Sequence, residues 1–286
     1  MTVMSLSRAI SQQNQSVPTR VDAEADTWAQ LRAAAEAGAM AEPTLASLLH
    51  ATILNHKTLA AALSYHLAQK LAGADMNALQ WRELCEQAFV ASPDLVLSAE
   101  RDMLATLERD PASRSLLQPF LYFKGFQALQ TWRVAHWLWN AGRDLIAFHL
   151  QSRISELYAV DIHPAAVIGS GVMIDHATAV VIGETARIGD DCSILHNVTL
   201  GGTGNETGDR HPKIGRGVLI GAGAKVLGNI TVGDEARIAA GSVVLTSVAA
   251  RCTVAGVPAR PVGGVCVEPA RTMRQIVEAE ALDPGI

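Results

Sequence analysis

The apolar positions of the chain follow two different periods. Over residues 21–159 they recur with a spacing near 3.6, the pattern of amphipathic helices. Trp28, Leu31, Ala34 and Ala35 share one face. Pro43 opens a segment carrying Leu45, Leu48, Leu49, Thr52 and Ile53, and Leu59, Leu63, His66, Leu67 and Leu71 continue the pattern until Gly73. Helices over 79–90 and 95–107 are separated by Ser92-Pro93-Asp94, a stop followed by a new N-terminus. Arg109-Asp110-Pro111-Ala112 is a further break. The spacing then predicts a helix over 126–140, ended by Gly142, and a last one over 144–158.

Beyond residue 160 the period becomes six. Ile162, Ile168, Ile174 and Val180 lie on one grid. After a two-residue slip come Ile182, Ile188, Ile194 and Leu200, and after a longer interruption Ile214, Ile220, Val226, Val232, Ile238 and Val244. Many are followed by glycine. A hexapeptide of this kind supplies one short strand and one turn, and three of them close an 18-residue triangular coil whose aliphatic residues fill a narrow core. The segment from Thr253 onward is placed to cover the last coil, and the helical half the first.

Function is expected where such a repeat is broken or decorated. Leu200 and Ile214 are 14 positions apart, off the grid, and the intervening stretch is rich in glycine and polar residues. It is read as an extruded loop presenting Asp209, Arg210 and His211. The second decoration is Asp175-His176, directly after core Ile174, with Asp161 just before core Ile162. A histidine with a nearby carboxylate is the usual general-base pair, although His176 read alone is equally a surface histidine. The third is a column of small residues: Gly221-Ala222-Gly223-Ala224 and Ala239-Ala240-Gly241-Ser242 are 18 apart and stack on adjacent coils. Such a ladder lets a thin ligand reach the backbone, and it equally suits tight corners.

Composition sharpens the division. All 13 aromatic residues lie at or before Tyr158, and 18 of the 23 glycines fall between Gly169 and Gly264, as a core too narrow for rings requires. With 49% hydrophobic and 18% charged residues the 286-residue chain is not a disordered one. A net charge of −5 argues against nucleic acid as the main partner, and no apolar run reaches the ~18 residues of a membrane helix. Cys85, Cys192, Cys252 and Cys266 fit no metal or redox spacing and are read as reduced, non-catalytic thiols. The polar start lacks the apolar stretch of a secretory signal, so a cytoplasmic protein is expected. The organisation expected is α+β and multidomain: a loose tail (1–20), an all-α domain (21–159), a parallel β-helix (160–265) and a flexible C-terminal tail (266–286).

The motifs carry a resemblance. Lys124-Gly125-Phe126, His136-Trp137-Leu138-Trp139-Asn140, Asp161-Ile162-His163-Pro164-Ala165-Ala166, Asp175-His176-Ala177-Thr178, Gly183-Glu184-Thr185-Ala186, Gly208-Asp209-Arg210-His211-Pro212-Lys213 and Ala255-Gly256-Val257-Pro258-Ala259-Arg260 resemble those of the serine O-acetyltransferase family over roughly residues 25–265. The resemblance implies a left-handed parallel β-helix and acetyl transfer from acetyl-CoA to the hydroxyl of L-serine, with no metal. It implies His176 as general base, Asp161 as its orienting partner, and direct attack without an acyl-enzyme. Asp110, Asp175, Arg210 and His211 are implied to bind serine, Arg210 by a bidentate fork on the carboxylate. Gly202, Thr203, Ala222, Ala240 and Arg260 match positions near the coenzyme.

A homotrimer with sites between subunits, or a hexamer made of two trimers, is implied too, as is feedback inhibition by L-cysteine. The terminal Ile286 matches a residue that inserts into O-acetylserine sulfhydrylase. A γ-type carbonic anhydrase, with zinc held by histidines such as His163, His176, His196 and His211, shares the β-helix but fits the helical half and the Arg210-His211 loop poorly. The same sequence is also compatible with a non-catalytic scaffold acting through the tail, or with an acetyltransferase for another small acceptor.

Overall fold

The structure is a computed structural model that describes residues 26–204 and 207–276. The expectations for residues 1–20 and for Ile286 lie outside the described residues. Helix α1 (Thr27–Ala41) starts on Asp26, whose side chain accepts the Trp28 N–H at 3.0 Å. The stretch that opens at Pro43 is not one helix. It runs as a 3₁₀ turn (Pro43–Leu45), a short α2 (Ala46–Leu49) and a π turn (His50–Leu54) closed by Asn55 N–H donating to His50 O. Leu49, Thr52 and Ile53, the i, i+3 and i+4 positions of one face, stay buried through this broken stretch.

Helices α3 (Leu59–Leu71) and α4 (Ala78–Ala91) follow, α4 beginning on a reciprocal capping box between Asn77 and Gln80. Then come α5 (Asp94–Arg109), a short α6 (Leu117–Leu121) that the apolar spacing did not predict, α7 (Lys124–Asn140) and α8 (Asp144–Tyr158). Helix α7 is buried on nearly every side, so its polar residues are partnered. Gln127 Nε2 donates to Leu121 O at 2.7 Å, and Thr131 Oγ1 to Gln127 O at 2.7 Å.

From Val160 the chain winds into five coils of a parallel β-helix. The first holds β1 (Val160–Ile162), β2 (Val167–Ile168) and β3 (Met173–Ile174); the second β4 (Val180–Ile182), β5 (Arg187–Ile188) and β6 (Ser193–Ile194). The third holds β7 (Thr199–Gly201), β8 (Lys213–Ile214) and β9 (Leu219–Ile220); the fourth β10 (Lys225–Leu227), β11 (Thr231–Val232) and β12 (Arg237–Ile238). The fifth holds β13 (Val243–Val244), an isolated bridge at Val248, and β14 (Thr253–Gly256). Every third strand stacks in parallel, giving the faces β1-β4-β7-β10-β13, β2-β5-β8-β11 and β3-β6-β9-β12-β14. On the last of these β15 (Ala259–Pro261) adds antiparallel and closes the end of the stack. The fourteen grid residues line the column and are all buried, each contributing about 1.5–3 kcal/mol.

The register locates both breaks. Ile214 pairs with Val232, 18 positions on, but Ile188 pairs with Ile214, 26 positions on, so eight extra residues form the loop between β7 and β8. Ile162 pairs with Ile182, 20 positions on, and the two extra residues fall in Asp175–Ala179 between β3 and β4. There His176, Ala177 and Ala179 have φ of 56°, 59° and 61°, a left-handed conformation that costs a non-glycine residue roughly 1–2 kcal/mol.

The helical half grips the first coil. Asp102 of α5 is fully buried; its Oδ2 accepts from Arg133 at 2.7 Å and Gln130 at 2.9 Å, and its Oδ1 from the Val172 N–H at 2.8 Å. Arg133 continues to Gly169 O at 2.7 Å. Gly125 of α7 presses on β3 so closely that a Cβ would stand 1.9 Å from Ile174 O. Trp132 Nε1 donates to His163 O at 3.1 Å, and the His136 ring reaches Pro164 O at 2.7 Å. Among the described residues no helix is long and apolar enough to cross a membrane. Burial pushes the Cys85 and Cys192 thiols up to about 12, leaving both protonated and inert.

Candidate active site

The candidate residues gather along two edges of one face, the one built on β1, β4, β7, β10 and β13. The first edge is the corner at which each coil enters that face. Its two-residue insertion carries Asp175 and His176. The imidazole of His176 is 75% exposed, with Nε2 3.8 Å from Asp175 Oδ1 and its ring edge-on to His196, centroids 5.7 Å apart. Lys124 Nζ donates to Thr178 Oγ1 at 2.5 Å, tying the insertion to α7. Asp110, just past α5, is braced by the Ala112 N–H, which donates to its Oδ1 at 2.8 Å. Asp175 is held above the usual carboxylate range by burial, opposed by His176, with the Asp110 carboxylate adding to the rise. Two carboxylates and an exposed imidazole thus share one corner. Higher on this edge, Gly241 N–H donates to Ala222 O at 2.8 Å, so the small-residue ladder with Ala222 and Ala240 stacks as the 18-residue spacing predicts.

The second edge is where the chain leaves the same face. His163 and Gly183-Glu184-Thr185 follow β1 and β4, and Gly201, the last residue of β7, leads into Gly202-Thr203 in the same register. The inserted loop folds back on them with Arg210 and His211. Arg210 donates from Nη2 to Glu184 Oε2 at 2.7 Å and from Nη1 to Gly208 O at 3.1 Å. The Arg210 bond holds Glu184 below the usual carboxylate range.

His211 is almost fully buried. Its Nδ1 meets the Thr185 N–H at 3.2 Å and the Thr185 hydroxyl at 2.9 Å. Its ring covers Gly183, where a Cβ would stand 2.1 Å from Nε2. Burial, then the Arg210 charge, keeps the His211 pKa below the ordinary histidine value. Gly202 lies against Arg210, and Thr203 approaches Gly228.

The two sets are not brought together within one chain. A three-residue strand, about 10 Å of backbone, separates the corners, more than a small amino acid spans. Asp161 points out from the face between them, and its Oδ1 accepts from Gln151 Nε2 of α8 at 2.7 Å rather than meeting His176. Arg260 lies exposed on β15, with Nη1 donating to Ala259 O at 3.0 Å. Among the described residues of one chain, no group of three His, Cys, Asp or Glu side chains converges as a metal site.

In the sequence Gly183-Glu184-Thr185 stands only as a motif, and neither His196 nor Gln151 is marked for a part in this site. A signal for the first was present: Gly183-Glu184-Thr185 follows core Ile182 as Gly201-Gly202-Thr203 follows core Leu200.

A family model described as the N-terminal part of serine acetyltransferase matches residues 27–131, and one for the bacterial transferase hexapeptide, of six repeats, matches residues 211–246. The serine acetyltransferase of Salmonella typhimurium is 57% identical over 236 residues, 82% of this chain and 86% of its own length. That of Haemophilus influenzae is 52% identical over 251 residues, covering 87% and 94%. A solved serine acetyltransferase in complex with cysteine superposes with a TM-score of 0.87 at 52% identity, covering 88% of this chain and 98% of that one. The Brucella abortus enzyme in complex with coenzyme A superposes with 0.83 at 50% identity, covering 85% and 98%. Identity at this level across both the helical half and the β-helix places the chain in the serine acetyltransferase family.

Proposed function

We propose that this protein transfers the acetyl group of acetyl-CoA to the hydroxyl of L-serine, giving O-acetyl-L-serine and CoA, the reaction that opens cysteine biosynthesis. The observation that carries the mechanism is the division of the candidate residues between two edges of one face. Each edge holds half of what a zwitterionic acceptor needs. In a homotrimer the first edge of one copy faces the second edge of the next. Asp110 and Asp175 then hold the ammonium group of serine, while Arg210 and His211 hold its carboxylate. Among the described residues Arg210 keeps N–H groups beyond those given to Glu184 and Gly208, enough for a fork on the carboxylate.

His176 acts as general base. It takes the hydroxyl proton as the serine oxygen attacks the thioester carbonyl, and returns that proton to the departing thiol, with no acyl-enzyme between. Within one chain Asp161 does not reach His176; in the trimer the Asp161 of the neighbouring copy is the carboxylate that orients the ring and stabilises the imidazolium. The ladder of Ala222 and Ala240 on one edge and Gly202 and Thr203 on the other borders a groove for the coenzyme arm, with Arg260 toward its phosphates. L-Cysteine carries the same ammonium and carboxylate as serine, so it competes for the same groups and acts as a feedback inhibitor. Two trimers join through the helical halves into a hexamer, and the tail ending in Ile286 docks on O-acetylserine sulfhydrylase. Cytoplasmic residence follows from the same reading.

Thiol release from acetyl-CoA tests the reaction. L-Serine supports it and homoserine or sugars do not; absence of serine-dependent thiol overturns the assignment. His176→Ala lowers turnover by about 10²–10⁴-fold, and near-normal turnover removes His176 from the role of base.

A further inference from the structure

We propose that Thr185 is a positioning residue of the acceptor site: its hydroxyl fixes His211 as the neutral tautomer that carries its proton on Nε2, and so aims a donor N–H at the substrate. The proposal rests on the reading that His211 binds the acceptor's carboxylate.

The argument is one of hydrogen-bond supply. A hydroxyl has one proton and two lone pairs. The two lone pairs of Thr185 Oγ1 are taken by backbone N–H groups of the loop, Arg210 at 3.0 Å and His211 at 3.1 Å. Its proton is directed to His211 Nδ1 at 2.9 Å, with the Asp209 carboxylate of the same loop as the competing acceptor. The Thr185 N–H also points at Nδ1, at 3.2 Å. The backbone N–H can only donate and the hydroxyl is the nearer partner, so Nδ1 is the unprotonated nitrogen. A proton there would oppose the Thr185 N–H and ask a saturated hydroxyl for a third acceptor site. The ring proton is thereby placed on Nε2, which has no hydrogen-bond partner among the described residues.

The surroundings agree in sign. Around His211 stand Arg210 and Lys213 of its own loop, Glu184 beside Thr185, and His163 after β1. Burial and the cations Arg210 and Lys213 favour the neutral ring, and only Glu184 opposes them. Lys213 Nζ is itself held by Thr185 O at 3.0 Å and His211 O at 2.7 Å. One threonine thus sets the loop's backbone, the ring's tautomer and, through its carbonyl, the neighbouring cation.

Thr185→Val keeps the shape and removes the hydroxyl; Thr185→Ser keeps the hydroxyl. The full-length enzyme, labelled with ¹⁵N in its histidine rings, is titrated by NMR, with His211→Gln to assign the signal. Wild type and Thr185→Ser should show the Nε2–H tautomer at neutral pH, titrating below 6.5. In Thr185→Val, where the backbone N–H still faces Nδ1, a minor population protonated on Nδ1 should appear beside the Nε2–H form and the midpoint should move up. The serine KM should rise about tenfold, the loss of one hydrogen bond's worth of alignment, while the acetyl-CoA KM stays unchanged. The acid limb of kcat/KM for serine should move to higher pH. An unchanged His211 titration in Thr185→Val overturns the positioning role. A shifted titration with an unchanged serine KM leaves that role standing and overturns the placement of His211 at the acceptor.

Discussion

At Gly183 the space of a side chain is occupied by the His211 imidazole. A methyl group there would stand 2.1 Å from both Cδ2 and Nε2, so Gly183→Ala must push the ring away from Thr185. Misplacement of about 1 Å can cost on the order of 10²-fold. Gly183→Ala should therefore lower kcat/KM for serine to that extent while sparing the acetyl-CoA KM, as steady-state kinetics with each substrate varied would show. This residue had no assigned part in the sequence, where it was one of many glycines following a grid aliphatic. Arg210 and His211 were legible because they interrupt a grid that otherwise repeats every six positions. The bonds that orient them were not, since Thr185 and His211 are 26 positions apart and meet only when the coil closes.

At the scale of elements, helices α5 and α7 do more than cap the solenoid. The Asp102–Arg133 pair is buried on both sides, and each partner also bonds the backbone of the first coil, at Val172 and Gly169. Removing one partner of such a pair leaves a buried charge without compensation. Asp102→Ala should destabilise the protein by about 3–5 kcal/mol, read as the shift in a urea unfolding midpoint. Asp102→Leu combined with Arg133→Met removes the stranded charge but should recover only part of the loss, because the Val172 N–H and Gly169 O lose their partners. These two residues lie 31 positions apart on different helices, and neither spacing nor composition marks them as partners. The helices themselves were legible from the 3.6 period, save α6 and the broken turn over 43–54. There short segments are shaped by what they pack against, and local propensity is a poor guide.

At the scale of the whole molecule, the separation of the two edges makes a quantitative prediction. His176→Ala damages only the first edge and Arg210→Ala only the second. If a site forms where the first edge of one copy meets the second edge of the next, every trimer containing both variants regains one intact site of three. Co-expressed in equal amounts, the two variants should recover about a quarter of wild-type activity, since random assembly makes about three-quarters of trimers mixed. Activity that stays at the level of the separate variants, with trimers formed, would mean that each site is built within one copy.

The six-residue grid, the restriction of rings to the first half and the interruptions at Asp175-His176 and Arg210-His211 are written in the sequence. They determine a helical half, a parallel β-helix and the two places where chemistry is carried, because a narrow aliphatic column tolerates few other patterns. The tertiary structure alone decided which bonds orient those groups. It put Asp161 on Gln151, His211 on Thr185 and Arg210 on Glu184, and it divided the candidate residues between two edges that one chain cannot join. Register along a single strand of sequence is local, whereas the faces and edges of a coil exist only after each turn has stacked upon the last.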